Sequence, residues 1–109
     1  MTIRFMQQIV TLDPESKELL IKAANSSNRS QRAEAHLRLM DHLVKYTSIN
    51  GIYLHGKAGN TNVELSLNYC SMLADNQQSK RRADDAGRRI KDHLLRFEYI
   101  AAIGRTFER

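Results

Sequence analysis

Basic side chains gather in the last third of the sequence, in a pattern suited to binding phosphate groups. The chain carries 17 Lys and Arg against 12 Asp and Glu, which gives a net charge of +5 and a pI near 9.7. Residues 80–96 hold seven basic residues and only three acidic ones. Such a segment favours polyanions, because each phosphate that is neutralised releases condensed counterions. The predicted phosphate contacts of this segment, chosen for their few acidic neighbours, are Lys80, Arg81, Arg88 and Lys91.

Three further arginines of this segment form a line with alternating charge. Arg82, Arg89 and Arg96 are seven residues apart, so a helix would place them on one side, with Asp85 and Asp92 between them. One interpretation is a stripe that follows a DNA backbone. The other is a ladder of Arg–Asp pairs on a solvated face, each worth about 0.3 kcal/mol. The spacing of the acidic residues favours the paired ladder.

The histidines and the single cysteine do not form a metal-binding or catalytic pattern. A zinc site needs several converging ligands, and the sequence contains no HxxxH or CxxC spacing. Cys70 lies near Leu67 and Ala74 at helical spacing, which indicates a small buried side chain. No nucleophile elbow or catalytic triad signature is present. We therefore expect no metal, no cofactor and no enzymatic activity.

Length and composition limit the class of protein. A chain of 109 residues has the size of one domain. Its 41% hydrophobic and 27% charged residues are typical of a folded protein rather than a disordered one. No apolar run approaches the roughly 20 residues of a membrane helix. The N-terminal residues are too few and too polar for a secretory signal. The sequence therefore predicts a soluble, cytoplasmic protein with no membrane partner.

A strand that leads directly into a helix is predicted at the N-terminus. Residues 2–12 are rich in β-branched and aromatic side chains. The Asp-Pro-Glu sequence at 13–15 supplies a cap, a proline suited to the first helical position and an acidic side chain at the positive end of the helix dipole. The first helix is expected over 14–25, and a second helix from Ser30 to about residue 48.

The second helix carries two apolar stripes on nearly opposite sides. A helix that is apolar on two sides must be covered on both. In a chain this small, the pattern predicts a partner subunit. The stripes are Ala33, Leu37, Met40 and Val44 on one side, and Ala35, Leu39, Leu43 and Tyr46 on the other.

Glycine and asparagine mark the middle of the chain as a linker at 49–62. From residue 63 the sequence alternates as in a strand, but it also fits a helix, and the apolar pattern continues through Leu73. We therefore prefer a helix there, followed by a last long helix over 79–104. The chain divides into a strand-helix-helix region at 1–48, the linker at 49–62 and a helical extension with a basic helix at 63–109.

Two short segments of the chain are similar to each other. The sequence DHLVKY at 41–46 is matched by DHLLRF at 92–97, with chemically similar residues at all six positions. A duplicated helical hairpin would explain the similarity and would build a four-helix bundle. Coincidence between two amphipathic helices would explain it equally well, so both interpretations stay open.

The N-terminal part of the chain resembles the ribbon-helix-helix family of DNA-binding proteins. The resemblance rests on Ile9-Val10-Thr11-Leu12-Asp13-Pro14-Glu15, a helix, Asn28-Arg29-Ser30 and a second helix, and it covers about residues 4–48. In that family the strands of two chains pair into a ribbon that enters the DNA major groove. With its helical C-terminal segment the chain is also similar to relaxosome accessory proteins of conjugative plasmids and to plasmid and phage repressors.

The resemblance implies a role for individual residues by their position in the motif. Gln7 would bind adenine through two hydrogen bonds, and Thr11 would touch a base edge or a thymine methyl group. The side chains that would face the bases are Gln7, Ile9 and Thr11, while Val10 and Leu12 would point into the core. The phosphate contacts implied for this region are Arg4 and the amide groups at Arg29 and Ser30, which open the second helix.

These observations predict a mainly α-helical protein with one short strand and about four helices, arranged as a ribbon-helix-helix-like dimer with a helical extension. The alternative fold is an all-α four-helix bundle. The predicted function is sequence-specific binding of double-stranded DNA by a homodimer or homotetramer, as a transcriptional regulator or a plasmid or phage DNA-processing accessory, with a protein partner as a further option. The alternative function is a small helical inhibitor or assembly protein whose basic helix binds an acidic partner.

Overall fold

The structure, a computed structural model, describes residues 5–46, 51–66, 69, 72–73, 79–100 and 106–108. These residues form three helices and two antiparallel two-stranded sheets. Within them, no helix is long and apolar enough to cross a lipid bilayer. In chain order the elements are β1 (Phe5–Leu12), α1 (Pro14–Ser27), α2 (Gln31–Lys45), β2 (Gly59–Ser66), α3 (Ser79–Arg96), β3 (Phe97–Ile100) and β4 (Thr106–Glu108).

The start of α1 follows the prediction. The Asp13 side chain accepts a hydrogen bond of 2.8 Å from the Ser16 amide, which satisfies one of the free donors at the helix N-terminus. The helix continues two residues beyond the expected end. It stops at Asn28, whose φ of 59° is left-handed and whose amide bonds back to carbonyls of the last turn.

Helix α2 is capped as expected, but only one of its two apolar sides is fully buried. The Ser30 hydroxyl accepts a 3.0 Å hydrogen bond from the Ala33 amide, and the helix ends at Lys45, before residue 48. Of the two predicted stripes, Ala35, Leu39 and Leu43 are buried. The other stripe is partly or fully exposed, with Val44 67% accessible. The buried side is covered by β2 and α3 of the same chain. The partner subunit predicted from the two stripes is therefore not needed for that side, and for the exposed side it stays a prediction.

The strand β1 pairs with β2 of its own chain, not with a second copy. The register runs from Phe5 opposite Ser66 to Leu12 opposite Gly59. A helix from residue 63 was predicted, and β2 begins inside the predicted linker, so the assignment of this region was wrong. The strand is favoured because β1 alone would leave a row of backbone donors and acceptors unpaired. The same alternation that indicated a strand buries Val63 and Leu65.

The last predicted helix is shorter than expected, and a hairpin follows it. Helix α3 ends at Arg96 rather than near 104. Strand β3 follows it directly and pairs with β4. The sequence of β3, Phe-Glu-Tyr-Ile, consists largely of residues that favour strands. Three helices and four strands in the described residues do not support an all-α four-helix bundle.

One hydrophobic core joins the two parts of the chain that were expected to be separate regions. At Gly87, α3 lies so close to β1 that an added Cβ would sit 1.9 Å from the Thr11 carbonyl oxygen. Only glycine allows this approach. The buried cluster consists of Val10, Leu12, Leu20, Ala23, Ala35, Leu39, Leu43, Val63, Leu65, Leu73, Ala86, Ile90 and Leu94.

The two similar segments found in the sequence meet each other in space. His42 Nε2 lies 2.7 Å from the Asp92 carboxylate, and His93 Nε2 lies 2.7 Å from the Asp41 carboxylate. Each Asp-His pair thus binds the other across α2 and α3. Reciprocal contacts of this kind are expected of two similar halves, one from β1 to α2 and one from β2 to α3, packed around an approximate two-fold axis.

The same relation extends to two buried arginines. Arg38 donates to His93 Nδ1 at 3.2 Å, and Arg89 donates to His42 Nδ1 at 3.3 Å. Since an arginine faces each Nδ1 and a carboxylate faces each Nε2, we assign both histidines as neutral Nε2–H tautomers. Burial lowers the pKa of His42, and it lowers the pKa of His93 to about 4, despite the opposing effect of the aspartates.

Candidate nucleic-acid interface

The outer face of the ribbon carries the residues that were predicted to face DNA bases. Gln7 is exposed, Ile9 is 50% accessible, and Thr11 is half-buried. The intervening residues Val10 and Leu12 are buried, as the resemblance implied. Alternation along the strand therefore separates one face that packs on the core from one face that is open to a ligand.

The opposite strand completes this face with residues that the sequence analysis did not select. Asn60, Asn62 and Glu64 of β2 lie beside Thr11, Ile9 and Gln7 in the register, and all three are exposed. The alternation of Val63 and Leu65 with polar residues did indicate a strand with an outward polar face. The strand was not chosen because the same residues also fit a helix. The outer ribbon face, as the term is used below, consists of Gln7, Ile9, Thr11, Asn60, Asn62 and Glu64.

Two grooves flank the outer ribbon face. On the β1 side a groove of about 580 Å³ separates the ribbon from the beginning of α3. On the β2 side a groove of about 410 Å³ separates it from the beginning of α2. The first is lined by Met6, Gln7, Gln8, Ile9, Thr11, Lys57, Asn60, Arg82, Ala83 and Asp84, and the second by Ser30, Arg32, Ala33, His36 and Glu64.

The residues at the start of α2 are largely occupied by local contacts. The Arg29 amide donates to the Ala24 carbonyl at 2.9 Å, and its guanidinium lies 2.8 Å from the Glu34 carboxylate. The Ser30 side chain caps the helix. Ser30 therefore lines a flanking groove beside the ribbon, while both the amide and the side chain of Arg29 bind within the chain.

Two of the basic residues predicted to contact phosphate instead hold the segment that precedes β2. Arg88 Nε donates to the Ile52 carbonyl at 2.7 Å, and its guanidinium lies over the Tyr53 ring. Lys91 is buried, and its ammonium lies 2.7 Å from the Asp13 carboxylate and donates to the Tyr53 carbonyl. In this fold Lys91 has no access to a DNA backbone, because a buried ammonium already has carboxylate and carbonyl partners.

Electrostatics strengthen the contact between α3 and the cap of α1. Burial alone would raise the pKa of Asp13, but hydrogen bonds from Lys91, Ser16 and His55 outweigh it and hold that pKa well below its usual range. Burial alone would lower the pKa of Lys91, but its hydrogen bonds to Asp13 and Glu15 raise it instead. Both groups are therefore charged at neutral pH, and the pair is structural.

The remaining predicted phosphate contacts lie at the edges of the described structure. Lys80 and Arg81 belong to the first turn of α3. Arg4 lies outside the described residues. Cys70, which was predicted to be a small buried side chain, also lies outside them.

The line of arginines along α3 forms intrahelical pairs. Arg89 binds Asp85, and Arg96 binds Asp92, each four residues away and at 3.0 and 2.9 Å. The paired ladder favoured by the sequence is thus present at these two steps. It does not lie on a solvated face, since Asp85, Arg89 and Asp92 are all buried.

Clusters of metal-ligating side chains are absent from the part of the chain that the structure describes.

Comparison with known proteins then identifies the family. The TraY domain family matches residues 9–51. The chain is also 32% identical over 97 residues to the relaxosome protein TraY of Escherichia coli (strain K12), a match that covers 79% of this chain and 70% of that protein. No solved structure gives a significant match.

The chain belongs to the TraY family. This membership confirms the predicted resemblance to ribbon-helix-helix relaxosome accessory proteins. It also confirms the prediction that the protein is not an enzyme. The family match begins at Ile9 and ends at Gly51, so it spans the second half of β1 and all of α1 and α2, whereas the longer match also reaches into the second half of the chain.

Proposed function

We propose that the protein binds double-stranded DNA in a sequence-specific manner, as a relaxosome accessory that acts near a plasmid transfer origin. The observation that carries the proposal is the outer ribbon face, which offers three side chains from each strand. A two-stranded antiparallel ribbon fits the major groove, where every base pair presents a distinct pattern of donors and acceptors.

The chemistry of the outer ribbon face suits base recognition. Gln7, Asn60 and Asn62 carry amides that can pair with adenine through two hydrogen bonds. Glu64 can accept a hydrogen bond from the cytosine amino group, and Ile9 can contact a thymine methyl group. Because the two strands carry different side chains, the favoured site is not a palindrome.

The ribbon forms within one chain, so one copy suffices to present the whole face. We infer that a monomer can occupy one DNA site, and that dimers or tetramers arise through contacts away from the ribbon. The alternative function, an acidic protein partner bound by the basic helix, has less support. Arg88, Arg89 and Lys91 of that helix bind groups of their own chain.

A mobility-shift experiment tests the proposal. The wild-type protein is titrated against short duplexes tiled across the DNA that flanks its own gene, and against scrambled duplexes of the same composition. Binding should favour one tile, and Gln7→Ala or Asn62→Ala should each cost about 1–3 kcal/mol on that tile. Asn25→Ala, an exposed change on α1, is the matched control and should have no effect. Equal binding to every duplex would contradict the proposal.

A further inference from the structure

The segment that joins the two halves is tied down along its length. We define the strap as residues 51–58, between α2 and β2. Its carbonyls at Ile52 and Tyr53 accept hydrogen bonds from Arg88 at 2.7 Å and from Lys91 at 2.8 Å. Its amide at His55 donates to the Asp13 carboxylate at 3.0 Å. Two buried or half-buried cations and one buried carboxylate thus fix the path of this loop.

The end of the strap is fixed to the ribbon itself. The Ala58 amide donates to the Leu12 carbonyl at 2.8 Å, and the Ala58 carbonyl accepts from Lys17 at 3.3 Å. Gly56 has a φ of +84°, a left-handed turn that glycine adopts without strain. Lys57 is therefore held between a fixed turn and a fixed strand end.

This path places an exposed cation next to the outer ribbon face. Lys57 lines the β1-side groove together with Gln7, Ile9 and Thr11. The Lys57 ammonium has no carboxylate within 4.0 Å among the described residues, although Asp84 lines the same groove. A lysine in this position is suited to contact a phosphate. Its side chain is exposed to solvent, and the turn at Gly56 and the hydrogen bonds of Ala58 fix its backbone.

The opposite flank of the ribbon lacks an equivalent cation from the strap. Its groove combines Arg32 and His36 with Glu64, whose carboxylate repels phosphate. The approximate two-fold relation of the halves would allow the ribbon to enter a groove in two opposite orientations. The strap contributes a residue to the β1-side groove only, so a phosphate contact from the strap would distinguish the two orientations even if Arg32 contacts phosphate on the other side.

We propose that Lys57, held by the strap, binds one DNA phosphate beside the β1 edge of the ribbon and thereby fixes the orientation of the protein on its site. The inference rests on the proposed function, because it assumes that the outer ribbon face enters the major groove. It assigns to the connection between the halves a binding role that a ribbon built from two separate chains could not have.

The test compares three variants on the DNA tile that the wild-type protein prefers. Lys57→Gln removes the charge, Lys57→Arg keeps it, and Lys22→Gln removes an exposed charge on α1 that pairs with Glu18 at 3.9 Å. Affinity is measured at several salt concentrations. The slope of log K against log salt should fall by about 1 for Lys57→Gln, and it should be unchanged for Lys57→Arg and Lys22→Gln.

Ethylation interference on the same DNA locates the contact. One phosphate, on one side of the site, should weaken wild-type binding when ethylated and have no effect on Lys57→Gln. An unchanged slope, or the same set of interfering phosphates for both proteins, would overturn the role of Lys57 while specific binding remained. If the wild-type protein did not distinguish its preferred tile from scrambled DNA, the proposed function itself would fail.

Discussion

Helices α2 and α3 are alike where they face each other and different where they face the ribbon. Each contributes a carboxylate, an arginine, an aspartate and a histidine to the shared interior. Arg38 binds Glu34 at 2.7 Å and the Phe97 carbonyl at 3.1 Å, while Arg89 binds Asp85 at 3.0 Å and the Tyr46 carbonyl at 3.0 Å. The two histidine–aromatic ring contacts have the same 4.7 Å separation.

Equivalent positions of α2 and α3 are 51 residues apart in the sequence, and several of them carry different residues. His36 of α2 corresponds to Gly87 of α3, and Met40 corresponds to Lys91. Gly87 lets α3 touch the β1 backbone, and Lys91 binds the α1 cap and the strap. Matched contacts thus hold α2 and α3 together in the interior, whereas the buried residues Gly87 and Lys91 give α3 its contacts with β1, the α1 cap and the strap.

Loss of either buried arginine should have the largest effect on stability. Arg38→Met removes one partner from the buried Glu34 carboxylate and one from His93, and the Phe97 carbonyl loses a donor, so the free energy of unfolding should drop by about 4 kcal/mol. Arg89→Met should cost about 3 kcal/mol, since Arg89 and its partner Asp85 are slightly less buried. Urea denaturation measures both. A cost below about 1 kcal/mol for either variant would mean that the matched contacts do not hold the halves together.

Substitution by alanine should lower the free energy of unfolding much more at Gly87 than at the equivalent position His36. Gly87→Ala forces a Cβ against the Thr11 carbonyl and should cost about 3 kcal/mol, because backbone must move on both sides. His36→Ala trims a half-buried side chain in an open groove and should cost less than about 1 kcal/mol. Equal denaturation midpoints for the two variants would show that the halves approach the ribbon in the same way.

Local signals predicted the first half of the fold well. The Asp13 cap, the end of α1, observed two residues beyond the prediction, and the Ser30 cap are each fixed by neighbours within five residues, so the sequence contains all the information needed. The family resemblance added the outward direction of Gln7, Ile9 and Thr11. These side chains are where it placed them, although their contacts with bases remain a proposal.

The second half depends on contacts between residues far apart in the sequence. Residues 63–66 fit a helix and a strand equally well, and only the unpaired edge of β1 makes them a strand. The similarity of 41–46 to 92–97 pointed to a duplication, but not to the reciprocal Asp–His contacts. Lys91 was predicted to contact phosphate because its partner Asp13, 78 residues away, is not evident from the sequence. Charge in a sequence does not tell which cations are already paired in the fold.

Lys91→Met makes α3 identical to α2 at this position and tests whether the divergence is structural. Asp13 would keep its hydrogen bonds from Ser16 and His55 but lose its buried ion pair, and the Tyr53 carbonyl would lose a donor. We expect a loss of about 2 kcal/mol and faster proteolysis within the strap. The control Lys22→Met, at an exposed pair, should be neutral. A neutral Lys91→Met would favour a different role for this lysine.

Acid should weaken the matched interior before it affects the ribbon. Burial lowers the pKa of His93 from its ordinary value of 6.5 to about 4 in the folded protein, so the unfolded chain binds more protons between these values. The contribution of His93 to stability is therefore complete above pH 6.5 and is lost as the pH falls towards 4.

Between pH 7 and pH 5.5 this histidine alone should lower the free energy of unfolding by about 1 kcal/mol, measured by urea denaturation at each pH. Burial lowers the pKa of His42 as well, so its contribution has the same sign. His93→Gln can still donate to Asp41 and accept from Arg38, but it does not titrate, and its stability should fall less steeply over this range. Parallel pH profiles for wild type and His93→Gln would mean that the interior is not held by neutral histidines.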